Sequence, residues 1–207
     1  MTNQDLINEL LKGDYLNTLR IIKAFEKVDR ADFVMPADKD EAYENFPLEI
    51  GHGQTISQPA TVAFMLEKLQ PEVGNKVLDV GSGSGWQTAL LSEIVGDKGE
   101  VIGLEIRDEL VELGRENLKK YNFSQGKIIK GNGWQGLAEE APFDRIIVAA
   151  AAETIPDSLK QQLKIGGRLV IPVGRGMHDI IVIDRLSKDN FEERYYPGFS
   201  FVPLINF

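Results

Sequence analysis

The run "VLDVGSGSGWQTALL", residues 77–91, constrains this chain more than any other stretch. A short apolar segment ends in Gly81, Gly83 and Gly85, and an apolar helical pattern follows at once. Glycines between a strand and a helix permit positive φ and let a ligand approach the backbone beside the amides of a helix N-terminus. A tight strand-to-helix turn needs similar residues, so the loop alone does not decide between packing and binding.

The chain downstream keeps alternating. "EVIGLEI", "KIIKG", "DRIIVAAA", "RLVIPVG" and "DIIVIDRL" read as strands. "WQTALLSEIV", "RDELVELGRENLKKY" and Ser158 to Leu163 read as the helices between them. The second helix carries acids in its first turn and lysines in its last, as the helix dipole favours. Near-continuous apolar strands alternating with helices predict an α/β fold with a doubly wound, mostly parallel sheet buried on both faces. Upstream, Leu6, Ile7, Leu10 and Leu11, then Leu19, Ile22 and Phe25, recur at helical spacing, with Gly13-Asp14 separating two N-terminal helices. Residues 30 to 55 show no sustained period and predict a long irregular segment, of the kind kept for function. A helix is expected from Gln58 to Leu69, and "FSFVPLINF" ends the chain as an apolar piece. We find no repeat or low-complexity linker, which predicts one domain over 1–207: a helical and loop segment (1–70) covering a Rossmann-like core (71–207).

A second feature bears on the loop. Glu105 closes the next strand about twenty residues on, where a carboxylate can accept hydrogen bonds from ribose hydroxyls. That spacing predicts a nucleoside-type ligand. The glycines fall as G-x-G-x-G rather than G-x-G-x-x-G, and Asp79 stands two residues before the first, where it would face a pyrophosphate badly. A ligand with a cationic tail suits this acid. S-adenosylmethionine has no phosphate and carries a sulfonium and an ammonium, so it is expected in preference to NAD.

Composition narrows the partners. Lys plus Arg number 23 against 32 Asp plus Glu, a formal charge of −9. That balance argues against a surface made to grip nucleic-acid phosphates. There is no cysteine, which removes disulfides, thiolate catalysis and zinc–sulfur sites. No metal site is expected. The N-terminus lacks the basic-then-apolar run of a signal peptide, and no apolar stretch reaches the ~18 residues of a membrane span. A cytoplasmic, soluble monomer is the expectation.

With these features in place, the chain resembles the protein-L-isoaspartate O-methyltransferase family. The likeness runs through "RADFV", "AYENFPLEIG", "GQTISQP", the glycine loop, "GNGWQG", "APFDRIIV", "IPDSLKQQLKIGGRLVIPVG" and "FVPL", in that order, from about Leu19 to Leu204. "GQTISQP" with "FVPL" is the most specific part. The resemblance implies a class I methyltransferase fold with the last two strands in an altered order. It also implies methyl transfer from S-adenosylmethionine to the free α-carboxylate of L-isoaspartyl residues in damaged proteins and peptides, which starts their repair.

By the same resemblance Ser57 lies at the catalytic site, with Gln54, Thr55 and Ile56 beside it and toward the cofactor. Ser82 and Gly133 complete the expected cofactor set with Asp79, Gly81, Gly83, Gly85 and Glu105. Val202 and Pro203 are expected to run past the substrate and offer main-chain hydrogen bonds. Asn132 departs from the usual Asp of "GDGW"; its amide oxygen can still accept from the adenine amino group, without charge assistance. A carboxylate nucleophile with a reference pKa of ~3.9 needs position rather than a base, and a hydroxyl can aim it. Ser57 could instead cap the helix that follows it, since Ser is a favoured N-cap. Trp86 and Trp134 are expected to pack, and His52 and His178 to be ordinary loop residues. Two rivals stay open: a methyltransferase acting on another acceptor such as an RNA base, and a protein that holds the cofactor without turnover.

Overall fold

The computed structural model describes residues 1–206. Helices α1 (Asn3–Lys12) and α2 (Leu19–Lys27) lead into 3-10 turns at Arg30–Asp32 and Pro36–Glu41. Strands β1 (Leu48–Gly51) and β2 (Gln54–Ile56) precede α3 (Pro59–Leu69). Then follow β3 (Lys76–Val80), α4 (Trp86–Val95), β4 (Glu100–Glu105), α5 (Asp108–Leu118), β5 (Gly126–Lys130), β6 (Phe143–Val148), α6 (Asp157–Gln162), β7 (Leu163–Val173), β8 (His178–Arg185) and β9 (Phe191–Phe199).

β3 to β9 form one sheet in the order β5-β4-β3-β6-β7-β8-β9. The first five are parallel, and β8 and β9 return antiparallel. The period-two rule of strands divides the core between the two faces. Val77, Val101, Ile147, Val170 and Val182 pack with α1 to α5, whereas their neighbours Leu78, Ile102, Ile146, Leu169 and Ile183 pack with α6 and the 134–143 stretch. Burial on both faces explains why these strands read as continuous apolar runs. The last three strands form a simple meander at the sheet edge.

Two departures from the sequence reading have physical reasons. Residues 30–55 are not wholly irregular: β1 and β2 pair as an antiparallel hairpin, Leu48 opposite Ile56 and Gly51 opposite Gln54. Its two central residues, His52 and Gly53, have φ of 57° and 69°, as a type I′ turn demands. Strands of four and three residues are too short for a period to emerge. β9 was not foreseen at all. It is an edge strand carrying Glu192, Glu193, Arg194 and Pro197, charges and a proline of the sort that blunts an open edge.

Candidate active site

The loop after β3 turns at Gly81, Gly83 and Gly85, with φ of 79°, 53° and 92°. All three lie in the region that side chains avoid. At Gly85, the residue that starts α4, a Cβ would also stand 3.2 Å from the Gly114 carbonyl on α5. Glycine there allows α4 and α5 to approach. The loop forms the floor of a cleft enclosing about 810 Å³, open solvent at its mouth included.

Glu105 ends β4 beside this loop and is 6% exposed. One carboxylate oxygen accepts from the Gly83 amide at 3.0 Å, and the other from the amides of Ile106 (2.8 Å) and Arg107 (3.0 Å). The oxygen on Gly83 takes only one of these bonds, so it retains lone-pair capacity toward the cleft. Asp79 has no exposed surface and does not line the cleft. Its oxygens accept from Gln87 Nε2 and Thr88 Oγ1, both at 2.6 Å, and Gln87 itself lines the cleft. Burial, with the charge of Glu105 adding to it, pushes the Asp79 carboxyl up to about 6. The sequence reading expects Asp79 at the cofactor; in this geometry it stands behind the cleft and orders the loop.

Opposite the glycine loop stand Gln54, Thr55, Ile56 and Ser57, all lining the cleft. Ser57 does not cap α3. The helix begins with Pro59 at its first position after Gln58, which makes no side-chain cap bond. Instead Asn45 Oδ1 accepts from the Ala60 amide at 3.0 Å, and Gln58 Nε2 donates to the Asn45 carbonyl at 2.9 Å. The 42–46 segment thus supplies the cap from outside.

That segment is fixed in turn by Arg30, which sequence reasoning passed over. The guanidinium has no exposed surface and donates to the carbonyls of Ala42 (2.7 Å), Phe46 (3.0 Å) and Ser57 (3.2 Å). Its carbon lies 5.4 Å from the Trp86 ring centre. Burial lowers its pKa to about 10, still well above neutrality. Trp86 packs edge-on against Phe25 at 5.6 Å while also lining the cleft.

Ser82, Gly133, Val202 and Pro203 line the same cleft; Gly85 and Asn132 do not. Asn132 Oδ1 accepts from the Trp134 amide at 2.9 Å, and its Nδ2 donates to Asn206 Oδ1 at 3.2 Å. It braces the turn between Gly131 and Gly133, both of which face the cleft. The 201–204 strap is held by Ala151, whose amide donates to the Val202 carbonyl at 2.8 Å and whose carbonyl accepts from the Leu204 amide at 2.7 Å. Trp134 Nε1 donates to the Leu204 carbonyl at 3.0 Å. Trp134 therefore does more than pack. His178 is not a loop residue: it opens β8, is 8% exposed, and its Nδ1 accepts from the Phe201 amide at 3.2 Å. His52 remains exposed on the hairpin turn.

Beyond Ser57 the cleft continues into a wider groove of about 1570 Å³, again with open solvent included, bordered by Thr55, Ser57, Phe64, Phe201 and Val202. Ser57 and Val202 belong to both spaces. The residues fit S-adenosylmethionine. The cleft offers the close-approaching backbone of the glycine loop, the Glu105 acceptor, and Ser82 Oγ, which is buried without a partner among the described residues. Negative charge at Glu105 and Asp79 opposes a pyrophosphate and suits a sulfonium. Glu105 and Arg107 are the only ionisable side chains in its lining among the described residues. Among these residues no group of acids and histidines that could hold a metal occurs, and no helix is long and apolar enough to cross a membrane.

A family profile described as protein-L-isoaspartate(D-aspartate) O-methyltransferase matches residues 1–206. A protein-L-isoaspartate O-methyltransferase of Methanopyrus kandleri is 43% identical over 202 residues, covering 97% of this chain and 89% of the relative. One from Methanothrix thermoacetophila is 46% identical over 186 residues, covering 90% and 88%. Among solved structures, a chain from Plasmodium falciparum assigned to the same family, in complex with S-adenosyl-L-homocysteine, superposes with a TM-score of 0.89 at 27% identity, covering 99% of each chain.

Proposed function

The chain belongs to the protein-L-isoaspartate O-methyltransferase family, and from that membership we propose how its cleft and groove divide the work. The protein transfers a methyl group from S-adenosylmethionine to the free α-carboxylate of L-isoaspartyl residues in damaged proteins, initiating their repair. The observation that carries the site reading is the junction at Ser57, where a cleft suited to the cofactor meets a groove wide enough for a peptide.

The cofactor, when bound, supplies an electrophilic methyl on a sulfonium. Glu105 holds the ribose hydroxyls, and the backbone of Gly81, Ser82 and Gly83 lines the amino-acid end with the Ser82 hydroxyl. Gln54, Thr55 and Ile56 close the cleft from the hairpin side and limit water around the attacking oxygen. Asp79 orders the loop through Gln87 and Thr88. Gly133 places the Asn132 turn beside the adenine. Ser57 donates its hydroxyl to one carboxylate oxygen and leaves the other aimed at the methyl. The groove side of the strap presents the main chain of Val202 and Pro203 to the isoaspartyl backbone.

The cleft's poverty in bases supports this acceptor over an RNA base. A carboxylate with a pKa of ~3.9 arrives ionised and needs no proton removed, whereas the exocyclic amino nitrogen of a base must lose one on methylation. The N-terminal 1–70 segment acts as the cover of the site and 71–207 as the cofactor-binding core. We further propose a cytoplasmic monomer that does not bind nucleic acid, supported by the cysteine-free composition and the charge of −9; light scattering, fractionation and a filter-binding assay check these. The central test is labelled methyl transfer to an isoaspartyl peptide beside its aspartyl twin. Transfer to the first alone is expected, and equal labelling of both would refute the assignment.

A further inference from the structure

We propose that His178 is a positioning residue for the peptide substrate, holding the 201–204 strap in register only while its imidazole is neutral. The inference rests on the strap being the substrate's main-chain partner, as proposed above, and adds a residue and a pH signature to that reading.

The geometry admits one protonation state. The Phe201 N–H donates to His178 Nδ1 at 3.2 Å. An imidazole nitrogen accepts a hydrogen bond only when it carries no proton, so the ring is neutral with its hydrogen on Nε2. A second proton would place an N–H against an N–H, and the bond would turn repulsive. The other strap bonds, through the Ala151 main chain and the Trp134 indole, involve no group that titrates near neutrality. His178 is thus the titratable fastening, and it sits at the groove end of the strap, where Phe201 and Val202 border the same space as Ser57.

The surroundings leave the charge of this ring to decide. Opposite it on β9 stands Phe199, and the Phe201 ring lies 6.5 Å away at 62°. The strap brings no charged side chain. The charged groups beside it are Asp179, next on β8, and Arg175 on the preceding turn, exposed and paired with Glu153 at 2.7 Å; the others on β8 and β9 (Asp184, Arg185, Glu192, Glu193 and Arg194) stand at the far end of the ladder, paired across Val182 to Arg185. Protonation of the ring would loosen Phe201 and Val202. The isoaspartyl carboxylate itself stays ionised from pH 5.5 to 8. Asp79 also titrates there, but it orders the cofactor loop, so its effect falls on cofactor affinity rather than on peptide KM at saturating cofactor.

The experiment measures peptide KM at saturating S-adenosylmethionine from pH 5.5 to 8, in wild type, His178→Asn and His178→Leu. Asn keeps an acceptor where Nδ1 stands and does not titrate; Leu leaves the Phe201 amide unpaired. Wild-type KM should rise about three- to tenfold toward pH 5.5, the scale of one lost hydrogen bond. With Asn the KM should stay flat and low. With Leu it should be high at every pH, with kcat close to wild type. A further readout needs no variant: the Phe201 amide proton resonance should move with the titration of the imidazole. A wild-type KM flat with pH, an acid rise that persists in His178→Asn, or a Phe201 resonance indifferent to pH would each overturn the proposal. Absence of isoaspartyl transfer at every pH would instead strike the functional reading beneath it.

Discussion

The fully buried guanidinium of Arg30 donates to the main-chain carbonyl of Ser57 at 3.2 Å, and so ties the proposed catalytic serine to a cation that no carboxylate among the described residues neutralises. Its other bonds go to the carbonyls of Ala42, Glu44 and Phe46, on the segment whose Asn45 caps α3. One side chain therefore sets the hairpin exit, the start of a helix and the wall of the cleft together. A buried cation stays tolerable only while such acceptors surround it.

Arg30→Lys should expose this arrangement. An ammonium keeps the charge but cannot reach acceptors along the planar fork of a guanidinium. Losing one or two charge-assisted bonds should cost ~2–4 kcal/mol, which for a domain of this size lowers Tm by roughly 4–16 °C. Turnover should fall more than S-adenosyl-L-homocysteine affinity, because the serine side of the cleft moves and the glycine loop does not. Thermal melts with calorimetry decide, and an unchanged Tm would remove Arg30 from this role.

Ser57→Ala separates chemistry from capping. Since Pro59 and Asn45 start α3, Tm should stay within about 1 °C of wild type, whereas loss of a true N-cap would cost ~1 kcal/mol. Turnover should drop at least several-fold, the value of one oriented hydrogen bond in the transition state. A lowered Tm with full turnover would reverse the assignment.

Glu105→Gln tests the ribose acceptor. The carboxylate accepts three backbone amides, and an amide NH₂ in its place must face at least one of them. Binding of S-adenosyl-L-homocysteine should weaken by ~1.5–3 kcal/mol, or roughly ten- to 150-fold in Kd. Wild-type affinity by titration calorimetry would exclude Glu105 as a cofactor ligand.

Asp79 makes a prediction about pH. Burial raises its carboxyl from an ordinary 3.8 to about 6, so the folded state binds this proton more tightly than the unfolded one. Its contribution to stability is therefore full below 3.8 and is lost as pH rises through about 6, on the order of 3 kcal/mol in all. Asp79→Asn removes that dependence. The new amide can accept from Gln87 and donate to the Thr88 hydroxyl, which rotates to suit. Relative to wild type, the variant's Tm should climb from pH 4 to pH 7; parallel curves would contradict the shift.

Legibility in the sequence followed what side chains announce. Val77-Leu78 and Ile146-Ile147 bury alternate residues on opposite faces of one sheet, so the central strands read as apolar runs. Glu105 was readable because its distance from the glycine loop is set by one strand–helix–strand unit. β9 was not, because the pairing of Ile180 with Tyr196 and Val182 with Arg194 is made by backbone, while its exposed side chains are mostly polar. Arg30 and His178 were hidden for a related reason. Their acceptors and donors are main-chain groups of Ser57, Phe46 and Phe201, and main-chain partners leave no pattern in side-chain identity.

Asn132 offers the last test, because the family's usual residue there is Asp. Its Oδ1 already accepts the Trp134 amide, and its Nδ2 donates to Asn206. In Asn132→Asp one carboxylate oxygen would keep the Trp134 bond. The other would meet the Asn206 side chain, whose amide can turn to present its NH₂ instead of its oxygen. The turn should therefore survive, with Tm near wild type. If the position also serves the adenine amino group, that group would donate to a charged acceptor, worth ~1.5–3 kcal/mol, instead of a neutral one at ~0.5–1.5. A gain of roughly 1 kcal/mol lowers the Kd about fivefold. Desolvating the new charge works against this gain but is softened by the two bonds that hold it. Calorimetric titration of S-adenosyl-L-homocysteine into both proteins, beside their melting curves, reads the two roles apart. Tighter binding at equal Tm assigns Asn132 to the adenine, whereas unchanged or weaker binding leaves it as the brace of the Gly131–Gly133 turn.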